Sequence, residues 1–223
     1  MPASIRAVIF DFDGLVVDTE SVGYLTWREI FNAHGHDLTV EHYAQAVGSG
    51  FNAHYDPRRD LEKLTNRVFD WPSTEATRRA RERQIHQGMQ TLPGVRERLA
   101  EARTLGLRTA VASSSPRLWI DTWMERLTLR DCFDHFSTVE DTGKPKPDPS
   151  LFVHAAESLG VAPEEVLIFE DSLNGLRAAL AAGMRCVVVP GPMTRHLDFS
   201  GAWRLVNSLS ETSLTALNAA WEV

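Results

Sequence analysis

The stretch Ile5-Arg6-Ala7-Val8-Ile9-Phe10-Asp11-Phe12-Asp13-Gly14-Leu15-Val16-Val17-Asp18-Thr19 ends an apolar run in two carboxylates two residues apart, and a glycine then turns the chain. In a strand, side chains at i and i+2 share a face, so Asp11 and Asp13 point the same way past the last ladder bond, with Asp18 a few residues on. Two acids crowded at a strand end repel each other. They suit a site where a hard cation sits between them and where they share work as nucleophile and acid/base. Turn formation by Asp and Gly accounts for one of these aspartates, not for the set. A calcium-binding loop fits poorly: Leu15 stands where a ligand is needed, Val16 where the glycine is needed and Val22 where the closing Glu is needed.

Further short apolar runs lie at 107–112, 166–169 and 186–189, alongside 5–10. Their length and Val/Ile content predict strands buried on both faces of a parallel sheet. Helices alternate with them. Pro93 opens one carrying Val95, Leu99 and Ala102 on one face, with Gly106 as its stop. Ser115-Pro116 supplies an N-cap and first turn for a helix to Leu127, Asp148-Pro149 does so for one to Leu159, and Ser172 precedes Leu176, Leu180 and the stop at Gly183. This alternation predicts an α/β fold with a doubly wound, Rossmann-like parallel sheet. Between Leu15 and Leu92 the rhythm breaks, and the patterns are helical, such as 19–32 with Tyr24, Trp27 and Phe31 on one face and Gly35 as a stop. The expected division is therefore a core of residues 1–14 and 93–223 with a helical insertion at 15–92. Within the insertion, Arg78-Arg79-Ala80-Arg81-Glu82-Arg83 is read as a solvated helix face. His34, His36 and His42 are read as surface residues rather than a metal cluster.

Composition narrows the function. The chain has 223 residues and a net charge of −7, which gives no basic field for nucleic acid. No run approaches the roughly 18 apolar residues of a membrane span, and the N-terminus runs directly into a strand rather than a signal peptide. Cys132 and Cys186 lie far apart in no metal or disulfide pattern and read as buried thiols. These features lead to the expectation of a cytoplasmic protein acting on a small molecule, without membrane or nucleic-acid partners. A monomer is the default, since nothing in the sequence fixes an oligomeric state.

Residues after each apolar run are the ones to examine, because ligands of open α/β sheets sit at the carboxyl ends of the strands. Ser113-Ser114-Ser115 follows the second run, and Glu170-Asp171-Ser172-Leu173-Asn174-Gly175 follows the third. Between them lies the stiff loop Gly143-Lys144-Pro145-Lys146-Pro147-Asp148-Pro149, in which either lysine could be solvated. Turn and cap chemistry explains some of these residues, Ser115 and Ser172 in particular. Consecutive acids facing Asp11 and Asp13 complete an oxygen-only shell suited to Mg²⁺.

Asp11-Phe12-Asp13-Gly14 with Asp18-Thr19 resembles the first motif, D-x-D-G-x-x-x-D-[TS], of the haloacid dehalogenase superfamily of phosphatases and phosphomutases. Ser113 matches its second motif, Gly143-Lys144-Pro145-Lys146-Pro147-Asp148 its third, G-K-P-x-P-[DE], and Glu170-Asp171-Ser172 with Gly175 its fourth. The run from Glu140-Asp141 to Gly143 is shorter than this family leads one to expect. The resemblance implies that the insertion is a mobile cap that selects the leaving group. It implies Asp11 as nucleophile, Asp13 as acid/base, Ser113, Ser114 and Lys144 as phosphate-binding groups, and Mg²⁺ held by Asp11, the Asp13 carbonyl and Asp171, with Glu170 as a further ligand. The expected activity is hydrolysis of small phosphorylated metabolites, such as sugar phosphates or phosphoglycolate, through an aspartyl-phosphate. The alternatives are a β-phosphoglucomutase-like phosphomutase and a non-catalytic binding protein on the same fold. Against the mutase, Gly23 occupies the place where such enzymes carry a histidine. Candidates for reading the leaving group lie near Val47-Gly48-Ser49-Gly50-Phe51, with Arg58 and Arg59 beyond.

Overall fold

A computed structural model of the chain describes residues 4–44 and 55–221. Its strands are β1 (Ala7–Phe10), β2 (Arg108–Ala112), β3 (His135–Ser137), β4 (Val166–Glu170), β5 (Arg185–Val188) and β6 (Arg204–Leu205). All pair in parallel in the order β3-β2-β1-β4-β5-β6. The chain builds β2 and β3 on one side of β1, then returns to build β4, β5 and β6 on the other. This is the doubly wound α/β sheet expected from the alternating pattern, and β1 lies at the point where the winding reverses.

Every residue of β1 and β4 is buried, as in a parallel sheet covered on both faces. On one face Ala7, Ile9, Ala110, Ala112, Val166, Ile168, Cys186 and Val188 join a cluster with Leu151, Phe152 and Leu176. These last come from α8 (Ser150–Leu159) and α9 (Leu173–Ala181), whose apolar positions recur at helical spacing. On the other face Phe10 meets Phe133 edge-on at 5.8 Å and Phe169 at 5.2 Å. Each such side chain contributes about 1.5–3 kcal/mol by leaving water, so the apolar runs are what hold the sheet in register. Strands β3 and β6 have three and two residues, too few to show a run, and sequence patterning does not reveal them.

Two compact units divide the chain: Met1–Val17, Gln90–Gly191 and Leu197–Val223 form one, and Asp18–Met89 with Pro192–His196 form the other. The first holds the sheet together with α5 (Val95–Thr104), α6 (Arg117–Leu127), α7 (Val139–Thr142), α8, α9 and α10 (Leu214–Ala219). The second holds α1 (Thr19–Ala33), α2 (Val40–Tyr43), α3 (Pro57–Thr65) and α4 (Trp71–Gly88), and no strand among its described residues. Helix α1 starts because the Asp18 carboxylate accepts from the Ser21 N–H at 3.1 Å, satisfying an orphan donor of its first turn. Its buried stripe of Tyr24, Trp27 and Phe31 packs with Leu38, Tyr43, Tyr55, Leu61 and Met193. Met193 comes from the 192–196 segment, which sequence patterning places with the core.

The arginine run of α4 is not a uniformly solvated face. Arg78 is turned inward, with only 9% of its side chain exposed, between Glu75 and Glu82 and over the Trp27 ring at 5.0 Å. Arg81 reaches Glu29 on α1 at 3.1 Å. The face was legible as charged, but i,i+3 and i,i+4 glutamates and an aromatic partner draw Arg78 out of water. Cys186 is buried as expected, whereas Cys132 is exposed. The Val47–Phe51 stretch of candidate leaving-group contacts lies outside the described residues. Among the described residues no helix is long and apolar enough to cross a membrane.

Candidate active site

Strand register builds the site. Phe10 pairs with Val111 on one side and Phe169 on the other, so the residues that follow, Asp11, Ala112 and Glu170, emerge side by side at the carboxyl edge. The ladder continues one step further, with the Asp11 N–H donating to the Phe169 carbonyl and the Ser113 N–H to the Ser137 carbonyl.

Asp11, Glu170 and Asp171 are all buried and offer carboxylate oxygens within 4.8 Å of one another. One cation is built in among them. The Lys146 ammonium lies 2.5 Å from Asp11 Oδ1 and 2.6 Å from Glu170 Oε1, with 6% of its side chain exposed. Burial drives the Asp11 carboxyl up to about 8, Glu170 adding to the rise while Lys146 pulls against it. Burial also works against the Lys146 charge, but Asp11 and Glu170 outweigh it and hold the ammonium above its ordinary value.

Lys144, the lysine expected here, is elsewhere. Its side chain is 64% exposed and faces Asp148 at 3.5 Å. The physical reason is register. Both Lys144-Pro145-Lys146-Pro147 and Lys146-Pro147-Asp148-Pro149 read as lysine-proline-any-proline, and only the second brings a lysine within 4.7 Å of the Phe152 ring in the first turns of α8. The short run before Gly143 was the available signal, because moving the motif two residues along lengthens it by two.

Glu170 Oε2 accepts from the Asp171 N–H, the Ser172 N–H and the Ser172 hydroxyl at 2.7–2.9 Å. With Oε1 on Lys146, both oxygens are engaged. A Cβ on Gly175 would fall 1.7 Å from Glu170 Oε1, so α9 approaches that carboxylate only because this position has no side chain. Ser172 caps α9, its hydroxyl accepting from the Gly175 N–H, as expected. Gly14 is demanded twice over: its φ is +86°, and a Cβ would lie 2.2 Å from Asp171 Oδ2.

The serine triplet divides its work. Ser113 is buried, and its hydroxyl accepts from the Ser115 N–H at 3.0 Å. The Ser114 hydroxyl accepts from the Lys146 N–H at 3.1 Å, tying the proline-rich loop to this strand end. Ser115, expected as a helix cap, is not one: α6 begins after Pro116 without a side-chain cap, and the Ser115 hydroxyl donates to Asp13 Oδ2 at 2.6 Å. Trp119 Nε1 donates to the other Asp13 oxygen at 2.9 Å, a partner that no motif pointed to. At α8 the cap position is Pro149, while Asp148 Oδ1 accepts from the Ser150 N–H at 3.0 Å.

The donor set fits a hard divalent cation. Three buried carboxyl groups share this site with a single ammonium, and all the ligand atoms they offer are oxygen. The Asp13 carboxylate is not part of this group; the expectation for Asp13 concerned its backbone carbonyl.

The chain is similar to known proteins over nearly its whole length. The family model of haloacid dehalogenase-like hydrolases matches residues 5–183. "Putative phosphatase YhcW" of Bacillus subtilis is 37% identical over 213 residues, covering 96% of each chain. Hexitol phosphatase B of Escherichia coli is 33% identical over 199 residues, 87% of this chain and 88% of its own. Among solved structures, a HAD family hydrolase from Deinococcus radiodurans with bound phosphate and sodium superposes with a TM-score of 0.80 at 26% identity, over 98% of this chain and 97% of its own.

Proposed function

Because the chain belongs to the haloacid dehalogenase-like hydrolase family, we propose that it is a Mg²⁺-dependent phosphatase of small phosphorylated metabolites, sugar or sugar-alcohol phosphates foremost. The observation that carries this reading is the buried group of Asp11, Lys146, Glu170 and Asp171 at the reversal point of the sheet, with Asp13 two residues beyond Asp11. Named phosphatases among its relatives support it.

In this reading the Asp11 carboxylate attacks phosphorus and the ester P–O bond breaks. Asp13 gives its proton to the leaving oxygen, which departs as an alcohol. A water then attacks the phosphorus of the aspartyl-phosphate, Asp13 takes its proton, and inorganic phosphate leaves with Asp11 regenerated. Lys146, rather than Lys144, carries positive charge to the phosphoryl oxygens and holds Asp11, while Glu170 holds Lys146 in place. The Ser113 hydroxyl and the neighbouring Ser114 amide bind the phosphoryl group. Asp11, Asp171 and the Asp13 carbonyl would hold the cation, Glu170 being the remaining carboxylate in reach. When bound, Mg²⁺ supplies charge neutralisation for the incoming phosphate.

Hydrolysis is favoured over mutase chemistry by Gly23. A Cβ there would lie 2.7 Å from the Tyr43 hydroxyl, so the tyrosine occupies the space a larger residue would need. The test is release of inorganic phosphate from a panel of sugar phosphates, sugar-alcohol phosphates and phosphoglycolate with Mg²⁺. Asp11→Asn should abolish release while leaving the fold intact. Primer-dependent isomerisation of β-glucose 1-phosphate without phosphate release would overturn the hydrolase reading.

A further inference from the structure

Asp13 is held in a way that the chemistry of Asp11 and Lys146 does not account for. Both oxygens of its carboxylate accept hydrogen bonds from the same short stretch of chain: Oδ2 from the Ser115 hydroxyl at 2.6 Å and Oδ1 from Trp119 Nε1 at 2.9 Å. The donors differ in kind. A hydroxyl can rotate to follow its acceptor, whereas an indole N–H is fixed by the position of its ring.

That ring is itself fixed. Trp119 packs edge-on against Trp123 one turn along α6, with centroids 5.7 Å apart and planes at 78°. Trp123 is 1% exposed and lies 6.3 Å from Phe12, the residue between Asp11 and Asp13. A closed circuit results. It runs from the carboxylate through Trp119 and Trp123 to Phe12 and back along the backbone to Asp13. The aromatic contacts place α6 relative to the β1 end, and the indole N–H then fixes where the carboxylate points. Ser115 is placed in turn by its own N–H, which donates to the buried Ser113 hydroxyl.

We propose that Trp119, with Ser115 as its partner, is a positioning residue for the acid/base Asp13, holding that carboxylate in one orientation for proton transfer to the leaving oxygen. The proposal rests on the phosphatase reading above and extends it to a residue outside the four motifs. A displaced general acid forfeits part of the 10²–10⁴-fold that proton transfer typically supplies, and small misplacements of a catalytic group are costly.

Leaving-group dependence separates this role from general structural support. An alkyl phosphate needs its leaving oxygen protonated, whereas p-nitrophenyl phosphate releases a stable phenolate. The value of kcat/KM reports only steps through the first phosphoryl transfer, so second-step effects of Asp13 drop out. Asp13→Asn is the reference and should lose far more kcat/KM on the best sugar-alcohol phosphate than on p-nitrophenyl phosphate. Trp119→Phe keeps an aromatic ring beside Trp123 and removes the N–H together with the pyrrole half of the indole. It should show the same selectivity, with a loss of about ten- to a hundredfold on the alkyl ester, a several-fold smaller loss on the aryl ester and KM changed by less than about threefold. Ser115→Ala provides the same test at the other oxygen should Trp119→Phe fold poorly by circular dichroism. If Asp13→Asn is selective while Trp119→Phe and Ser115→Ala lose both esters equally or lose neither, the positioning role is overturned. If Asp13→Asn itself shows no selectivity, the acid/base reading falls first and this proposal with it.

Discussion

Two lysines two residues apart, in nearly identical proline contexts, have opposite fates. Lys146 is enclosed between Asp11 and Glu170, while Lys144 stands in water beside Asp148. An exposed pair of this kind is worth about 0–1 kcal/mol, whereas removing one partner of a buried pair costs about 3–5 kcal/mol because a charge is left unanswered. Lys144→Ala should therefore keep turnover of p-nitrophenyl phosphate within about twofold and leave the melting temperature nearly unchanged. Lys146→Met should lower kcat by at least about a hundredfold, with circular dichroism reporting whether the fold survives. Reversed outcomes would return the role to Lys144. At this scale the sequence was legible wherever a residue's place follows from counting along a strand. Asp11, Ser113, Glu170 and Asp171 all stand at the end of a strand or one residue past it. It was not legible where a loop intervenes. Two overlapping lysine-proline patterns are equivalent until the start of α8 fixes one of them, and the partners of Asp13, Ser115 and Trp119, come from 102 and 106 residues along the chain.

Among elements, the long apolar runs announced β1, β2, β4 and β5, since burial on both faces leaves an unbroken signature. Strands β3 and β6 escaped because their pairing, rather than their own two or three residues, makes them strands. The docking of α10 is equally invisible in the local pattern. The Glu101 carboxylate on α5 accepts from the Leu214 and Thr215 N–H groups at 2.9 Å and from the Thr215 hydroxyl at 2.8 Å. It thus serves the orphan donors of the first turn of a distant helix. Burial pushes this carboxyl up, but the Thr215 and Leu214 amides outweigh it, with help from Arg98, and hold it below its ordinary value of 4.5. A lowered value in the folded state means that the carboxylate contributes stability above about pH 4.5, and that this contribution fades as pH falls through the folded-state value. Glu101→Gln should cost about 1–2 kcal/mol at pH 7, a drop of several degrees in melting temperature. The gap between variant and parent should narrow below pH 4.5. A gap independent of pH would show that packing, not charge, secures α10.

For the molecule as a whole, the proposed cation site among the carboxylates at one end of the sheet predicts that a divalent cation stabilises the fold. At a hundredfold excess over its dissociation constant, a ligand bound only by the folded chain adds about 2.7 kcal/mol, a rise of several degrees for a chain of this length. Mg²⁺ should raise the melting temperature, EDTA should reverse the rise, and Asp171→Ala should abolish it. Zn²⁺ acting as well or better would contradict the oxygen-donor argument. The route of the chain between the two units has its own consequence. The helical unit is made of Asp18–Met89 and the later stretch Pro192–His196, whose Met193 is 3% exposed within the aromatic cluster of Tyr24, Trp27 and Phe31. Although it begins as an insertion after the first strand, this unit is not a cassette that recombination can lift out in one piece. A graft between relatives that moves 18–89 alone strands Met193 against a foreign cluster. One that carries both segments preserves the match, and the two-segment chimaera should melt above the one-segment chimaera by an amount set by that methionine's burial, about 1.5–3 kcal/mol. Divergence of this unit within such a lineage would then leave a trace in two separated stretches of sequence that change together.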